Sequence, residues 1–175
     1  KNVVKLMAQR KIESLDEAIY FFNPDIKNLH DPYLMKDMEI AVKRIHSAIT
    51  SNEKILVFGD YDVDGVTATA LMVQTLTALG MMVIGYIPNR FEEGYGLNND
   101  ALTSLKQDGI RLVITVDCGV RSLDEATHAH NIGLDLIISD HHHPADALPQ
   151  ALAVINPKQE GDKYPDKDLA GVGIA

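Results

Sequence analysis

The sequence contains a single cysteine, Cys118. An internal disulfide is therefore excluded, and the chain fits a reducing compartment, for which the expectation is the cytoplasm. No apolar run approaches the length needed to span a membrane, and the start lacks a signal-peptide pattern, so no membrane role is expected. Internal repeats and low-complexity segments are also missing. An excess of basic charge is missing too. Residues 1–53 hold eight of the 16 Lys/Arg and eight of the 25 Asp/Glu, whereas residues 54–175 hold eight basic and seventeen acidic residues, the whole net charge of −9. Such a domain does not attract nucleic acid by its overall field, and a nucleic-acid substrate would need metal ions or basic surface elsewhere. The chain begins at Lys1 and stops within the apolar run 169–175, which reads as a fragment of something larger.

What is present is organised around residues 55–65. The apolar run 55–58 predicts a buried strand, which leads into Gly59 and then Asp60, Asp62 and Asp64. An extended backbone puts these carboxylates within about three to seven ångströms of one another. Like charges at the end of a buried strand repel, and burial raises their pKa values; a divalent cation removes both penalties. Gly65 allows the sharp turn that follows. A solvated acidic loop is the plain alternative.

Residues 1–53 read as a helical segment packing on the core. Ser14 and Glu17 form a capping-box pattern ahead of a short helix ending at Asn23-Pro24, and Asp31-Pro32 opens a second segment. Leu34, Met38, Val42, Ile45 and Ile49 recur there at helical spacing, an amphipathic helix suited to covering a sheet. From residue 54 strands and helices alternate. Strands are predicted at 55–58, 82–87, 111–116, 134–138 and 152–155, and helices near 66–79, 98–108 and 122–132. Gly80, Gly109 and Gly133 follow helices as left-handed caps, and Ser122 with Glu125 makes a second capping box. This rhythm predicts an α/β fold, a Rossmann-like parallel sheet flanked by helices, over residues 54–175.

Ligands of such sheets bind beyond the carboxyl ends of the strands. Three successive strand ends there carry Asp60, Asp62 and Asp64; Asp117; and Asp140 with His141, His142 and His143. Carboxylates with imidazoles suit Mn²⁺, Mg²⁺, Fe²⁺ or Zn²⁺, and the excess of carboxylate favours a hard ion, with histidine shifting the preference towards Mn²⁺. Two ions about 3.5–4 Å apart can drive phosphoryl displacement, with Asp62 or Asp117 as the bridge. His141 is the best imidazole ligand. His142 is a second ligand or a phosphate contact, His143 a solvent-facing neighbour, and Asp140 a residue that orients an imidazole from behind. Cys118 reads as a small packed residue.

An EF-hand shares the D-x-D-x-D-G opening but needs a bidentate Glu at its twelfth position, which here is Leu71, and a helix before the loop. A phosphatase with Asp62 as nucleophile fits the first motif and leaves Asp117 and the histidines without a role. The stretch 88–97 should lie on the same edge. Arg90 there can clamp a phosphate, Tyr95 can stack on a base, and Gly94 and Gly96 allow close backbone approach; a glycine-rich turn with a structural Arg–Glu pair is the alternative.

The motifs GDYDVDG (59–65), PNRFEEGYGLN (88–98), VDCG (116–119), SDHHHP (139–144), VINPK (154–158) and LAGVG (169–173) together resemble the DHH phosphoesterase superfamily, and within it the single-strand-specific DNA exonucleases. The likeness runs from the N-terminal helices to Ala175. It implies a 5′→3′ exonuclease that uses Mn²⁺ or Mg²⁺, two ions in the complete enzyme, to degrade single-stranded DNA in recombination and repair. The family motifs fall on Asp60, Asp62 and Asp64, on Asp117, and on Asp140, His141 and His142. Phe58 stands where many relatives have a histidine ligand, which leaves that ligand lost or replaced by Asp60. The family's fourth acidic ligand and second, substrate-binding domain lie outside these residues, so the fragment is expected to bind metal weakly and to be inactive alone. A DHH phosphodiesterase for short oligonucleotides or cyclic dinucleotides, and a non-catalytic replication scaffold, are the competing expectations.

Overall fold

The structure is a computed structural model that describes residues 2–89 and 96–175. It divides into two compact units, residues 1–31 and 32–175.

The first unit holds helices α1 (Asn2–Gln9) and α2 (Leu15–Phe22). The Ser14 hydroxyl accepts the Glu17 N–H at 3.2 Å, and the Glu17 carboxylate accepts the Ser14 N–H at 2.9 Å. These bonds satisfy donors at the start of α2 that have no partner within the helix. The helix closes at Asn23, directly before Pro24.

The second unit is built on a five-stranded, all-parallel sheet of order β2-β1-β3-β4-β5. Its strands are β1 (Lys54–Gly59), β2 (Met82–Tyr86), β3 (Leu112–Val116), β4 (Asp135–Ser139) and β5 (Ala153–Ile155). Helices α3 (Met38–Thr50), α4 (Val63–Ala78), α5 (Asn99–Gln107), α6 (Leu123–Asn131) and the single turn α7 (Gly171–Ile174) surround it.

Alternation along each strand feeds two cores. Ile55, Val57, Leu112, Ile114, Val116 and Ile137 face one way, packed with Ala41, Ala48, Ala68, Leu76 and Ile174 of α3, α4 and α7. Leu56, Phe58, Val113, Leu136 and Ile138 face the other way, packed with Leu102, Ala126 and Ala129 of α5 and α6. Burial on both faces is why the central strands read as continuous apolar runs rather than alternating ones. The edge strand β2 is the exception, with Met82 and Ile84 about half exposed.

The expected segment boundary at 53/54 and the contact boundary at 31/32 differ because α3 packs on the sheet. Arg44 of α3 reinforces that packing, bonding Asp135 at the start of β4 and Glu53 before β1, both at 2.6 Å. Gly80, Gly109 and Gly133 do adopt positive φ after their helices. The second capping box does not form. Ser122 has ψ 68, outside the extended region that aims a capping hydroxyl along the helix, and its side chain makes no cap bond. Among the described residues, no helix is long and apolar enough to cross a membrane.

Candidate metal centre

The register of the sheet sets the site. Gly59 of β1 pairs with Val116 of β3, Val116 with Ser139 of β4, and Ser139 with Ile155 of β5. The next residue on each strand is therefore Asp60, Asp117, Asp140 and Asn156, a row of four polar residues that are all buried. The ladder continues for one step beneath them, with Asp117 N–H donating to Ser139 O and Asp140 N–H to Ile155 O, both at 3.0 Å.

Each carboxylate of the row and of the following turn has a distinct surrounding. Asp60 accepts the Tyr61 N–H at 2.6 Å. Gly65 lets the first turn of α4 lie against it, since a Cβ there would come within 2.5 Å of the Asp60 carbonyl oxygen. Asp62 caps α4, its Oδ1 accepting Asp64 N–H at 2.9 Å and Gly65 N–H at 3.0 Å. The Gly65 N–H, first among several influences, holds this carboxyl below its usual range. Asp64 is committed differently. Its Oδ2 accepts Gly171 N–H at 2.6 Å and its Oδ1 accepts Val172 N–H at 2.7 Å.

Asp117 sits at φ 60, a left-handed conformation that aspartate tolerates better than most residues. It is 1 % exposed, and neither carboxyl oxygen has a hydrogen-bond partner. Burial, reinforced by the charges of Asp64 and Asp62, pushes its pKa up to about 7.

The imidazoles complete the arrangement. His141 Nδ1 lies 3.0 Å from the Leu169 carbonyl, which can only accept, so this nitrogen carries the proton and Nε2 of the neutral ring has the lone pair. That Nε2 is 3.1 Å from Asp117 Oδ1, at an angle that makes no hydrogen bond, and 3.6 Å from Asp64 Oδ2. His142 Nδ1 lies 2.7 Å from Asp140 Oδ1, which leaves its Nε2 lone pair as well. Asp140 is saturated from behind, accepting the N–H of His141 at 2.7 Å, of His142 at 3.0 Å and of Val120 at 2.9 Å.

Among the described residues, two groups of donors converge to within 4.8 Å: Asp117 with His141 and His142, and Asp60 with Asp62 and Asp117. Asp117 belongs to both. A buried carboxylate without donors, facing an imidazole lone pair, is electrostatically incomplete and calls for cationic charge between its neighbours. The oxygen-rich donor set with imidazole fits Mn²⁺ or Mg²⁺.

The structure thus brings together Asp60, Asp62, Asp117, His141 and His142. Asp64, expected as a ligand, lies beside them with both oxygens on the backbone of α7 and in neither donor group. Phe58 is fully buried with its ring centroid 5.2 Å from that of Tyr86, on the face covered by α5 and α6, and offers no ligand. Gly96 lines a cavity next to the histidines. Arg90, Gly94 and Tyr95 lie outside the described residues. The sequence did not assign a site role to residues 169–172, although their backbone touches Asp64 and His141 and packs against Asp117. The closely spaced glycines of LAGVG were the available signal.

Residues 54–175 match the DHH family, N-terminal domain. The chain is 46 % identical over 173 residues to the single-stranded-DNA-specific exonuclease RecJ of Bacillus subtilis, a match covering 99 % of this chain and 22 % of that protein. To RecJ of Escherichia coli it is 38 % identical over 172 residues, covering 98 % and 29 %. A crystal structure of exonuclease RecJ bound to manganese superposes with a TM-score of 0.72 at 34 % identity, over 80 % of this chain and 35 % of that one. RecJ from Thermus thermophilus in complex with Mn²⁺ gives 0.67 at 31 %, over 80 % and 19 %. The chain therefore spans less than a third of the length of these curated relatives.

Proposed function

Because this chain belongs to the DHH family, we propose that it is the catalytic core of a metal-dependent 5′→3′ exonuclease that hydrolyses phosphodiester bonds of single-stranded DNA. The observation that carries the reading is Asp117, shared by two donor groups and left without a hydrogen bond on either oxygen. When bound, a pair of Mn²⁺ or Mg²⁺ ions would supply Lewis-acid charge to the phosphate and acidify a water molecule.

The residues of the chain prepare the place for that chemistry. Asp60, Asp62 and Asp117 would hold one ion and Asp117, His141 and His142 the other, with Asp117 common to both groups. Asp140 and the Leu169 carbonyl fix the two imidazole tautomers so that each presents Nε2. Asp64 anchors α7 against the site and adds negative charge 3.6 Å from His141. Bound cations would also offset the charge of an acidic domain that by itself repels phosphate. Arg90 and Tyr95 remain our candidates for phosphate and base contacts, with Gly94 and Gly96 letting the backbone approach.

The relatives' greater length suits the further acidic ligand and second, substrate-binding domain that the resemblance implies; a role in cytoplasmic DNA repair and recombination belongs to the same reading. A phosphodiesterase for short oligonucleotides or cyclic dinucleotides is less favoured, because the long N-terminal match is to single-strand exonucleases. A scaffold without catalysis is less favoured because the carboxylate and imidazole positions are filled.

The test uses the protein extended to the length of its relatives, with Mn²⁺ and end-labelled single-stranded DNA. Asp62→Ala and His141→Ala are each expected to lower turnover by about 10²–10³-fold, Asp62→Ala also giving up about 0.5–2 kcal/mol with the cap of α4. Digestion confined to di- or trinucleotides would refute the exonuclease reading.

A further inference from the structure

Next to the metal centre lies a cavity of about 560 Å³ whose wall includes Arg121, Ser122, Glu125, His142, His143 and Lys158. That volume is within the roughly 300–1,000 Å³ of small-molecule sites. Its polar wall runs against the charge of the domain. Two cations and the histidine run face one space in a region where acidic residues outnumber basic ones by seventeen to eight.

Both cations are tied to the histidine run by fixed bonds. Arg121 Nε donates to the His143 carbonyl at 2.9 Å. On the other side Asn156, fully buried, donates from Nδ2 to the His142 carbonyl at 2.9 Å and accepts the Lys158 N–H on Oδ1 at 2.8 Å. One buried amide therefore sets the backbone of Lys158 relative to His142. Asp140 turns its carboxylate to the backbone, Oδ1 accepting the His141 and His142 N–H groups and Oδ2 that of Val120. The Ser122 hydroxyl does not cap α6; the Leu123 N–H is taken by the Arg121 carbonyl at 3.0 Å, which leaves the Asp124 and Glu125 N–H groups of the first turn with capacity for an anion.

We propose that this cavity is a nucleotide subsite in which Arg121 and Lys158 hold the phosphate of the nucleotide next to the cleaved bond; this rests on the nuclease reading above. Arg121 supplies a planar fork of donors and Lys158 a point charge. Glu125 supplies an acceptor for an exocyclic amine or a sugar hydroxyl. VINPK, which the metal centre leaves without a task, gains one: Asn156 positions and Lys158 binds. The same chemistry serves the terminal nucleotide of a strand or a released nucleoside monophosphate.

The first arm titrates deoxyadenosine monophosphate, and deoxyadenosine as control, into the isotopically labelled chain with chelator present, so that metal–phosphate contacts cannot contribute. The monophosphate is expected to shift the amide signals of residues 121–125 and 158. It should bind at least about tenfold more tightly than the nucleoside, and Arg121→Ala and Lys158→Ala should each weaken it about tenfold. Lys158→Arg should retain binding, which separates a charge contact from a folding defect. Equal binding of nucleoside and monophosphate, or affinity indifferent to both alanine substitutions, overturns the subsite.

The second arm uses the extended protein. A raised KM for single-stranded DNA in Lys158→Ala, with kcat nearly unchanged, supports capture of the strand's terminal nucleotide. A change confined to inhibition by added monophosphate supports capture of the released product. Unaltered kinetics in both variants overturn the subsite and leave the nuclease reading standing. Phosphate-dependent binding in the first arm, without any cleavage of DNA in the second, overturns the nuclease reading and leaves the subsite standing.

Discussion

Asp117→Asn is expected to abolish binding at both metal positions together, and at the same time to stabilise the metal-free protein. Calorimetric titration with Mn²⁺ checks the first effect. Asp62→Ala should remove one binding event and leave the other, whereas Asp117→Asn should remove both; binding indifferent to Asp117 would end the shared-ligand scheme. The second effect follows from the pKa. Folding moves the Asp117 carboxyl from 3.8 up to about 7, so the folded chain holds a proton more tightly than the unfolded chain. Well below 3.8 both forms are protonated and the group costs nothing. As the pH climbs towards 7 the unfolded chain releases the proton first, so stability falls, and above 7 the full cost remains. That cost is on the order of 2–4 kcal/mol. Asparagine avoids it and accepts the same left-handed backbone. In chelator at about pH 8 the variant should melt roughly 4–10 °C higher than the parent, and the difference should shrink as the pH falls and vanish well below the unfolded value of 3.8. A parent no less stable at pH 8 than its variant would contradict the burial of an unpaired carboxylate.

Gly171→Ala should be nearly as damaging to metal binding without touching a ligand. A Cβ at this position would lie 2.5 Å from Asp117 Oδ1 and 2.7 Å from its Cβ and Cγ. The backbone of α7 would have to withdraw, which takes the Gly171 and Val172 donors away from Asp64 and displaces the Leu169 carbonyl from His141. Loss of such supporting contacts typically costs about 10–100-fold in metal affinity, and overpacking costs about 1–3 kcal/mol of stability. Gly173→Ala is the control, since a Cβ there meets only the Leu169 side chain, at 3.4 Å or more. Calorimetry with Mn²⁺, together with the nitrogen chemical shifts that report the His141 tautomer, should separate the two variants. Equal behaviour would show that α7 does not support the centre.

The parallel sheet was legible because burial on both faces leaves apolar runs that only helix caps and glycines interrupt. The clustering was legible as far as strand ends could be counted: Asp117 follows directly on a predicted strand, Asp60 and Asp140 come one residue later, and the register sets all three side by side. The surroundings of Asp64 were not legible, for a physical reason. The sequence groups it with Asp62 by spacing, yet Asp62 turns into a helix cap and Asp64 is claimed by amides 107 and 108 residues later, which no local pattern encodes. Ser122 failed for the opposite reason, since a correct local pattern was overridden by the backbone turn leading out of β3. Asn156 was quoted only as part of a motif, because a buried amide is defined by its partners, and one of them, the His142 carbonyl, lies 14 residues away in the histidine run.

The bond between Asp64 and α7 also bears on how the protein is made. Translation runs at about 5–20 residues per second, so a chain that has already exposed Asp64 must wait roughly 5–20 s before Gly171 and Val172 exist to receive it. Throughout that interval the nascent chain carries a carboxylate cluster without its clamp and without the Leu169 carbonyl that sets His141. The centre thus matures later than the sheet that carries it, and a chain released short of residue 172 would keep most of that sheet while lacking a properly formed metal site.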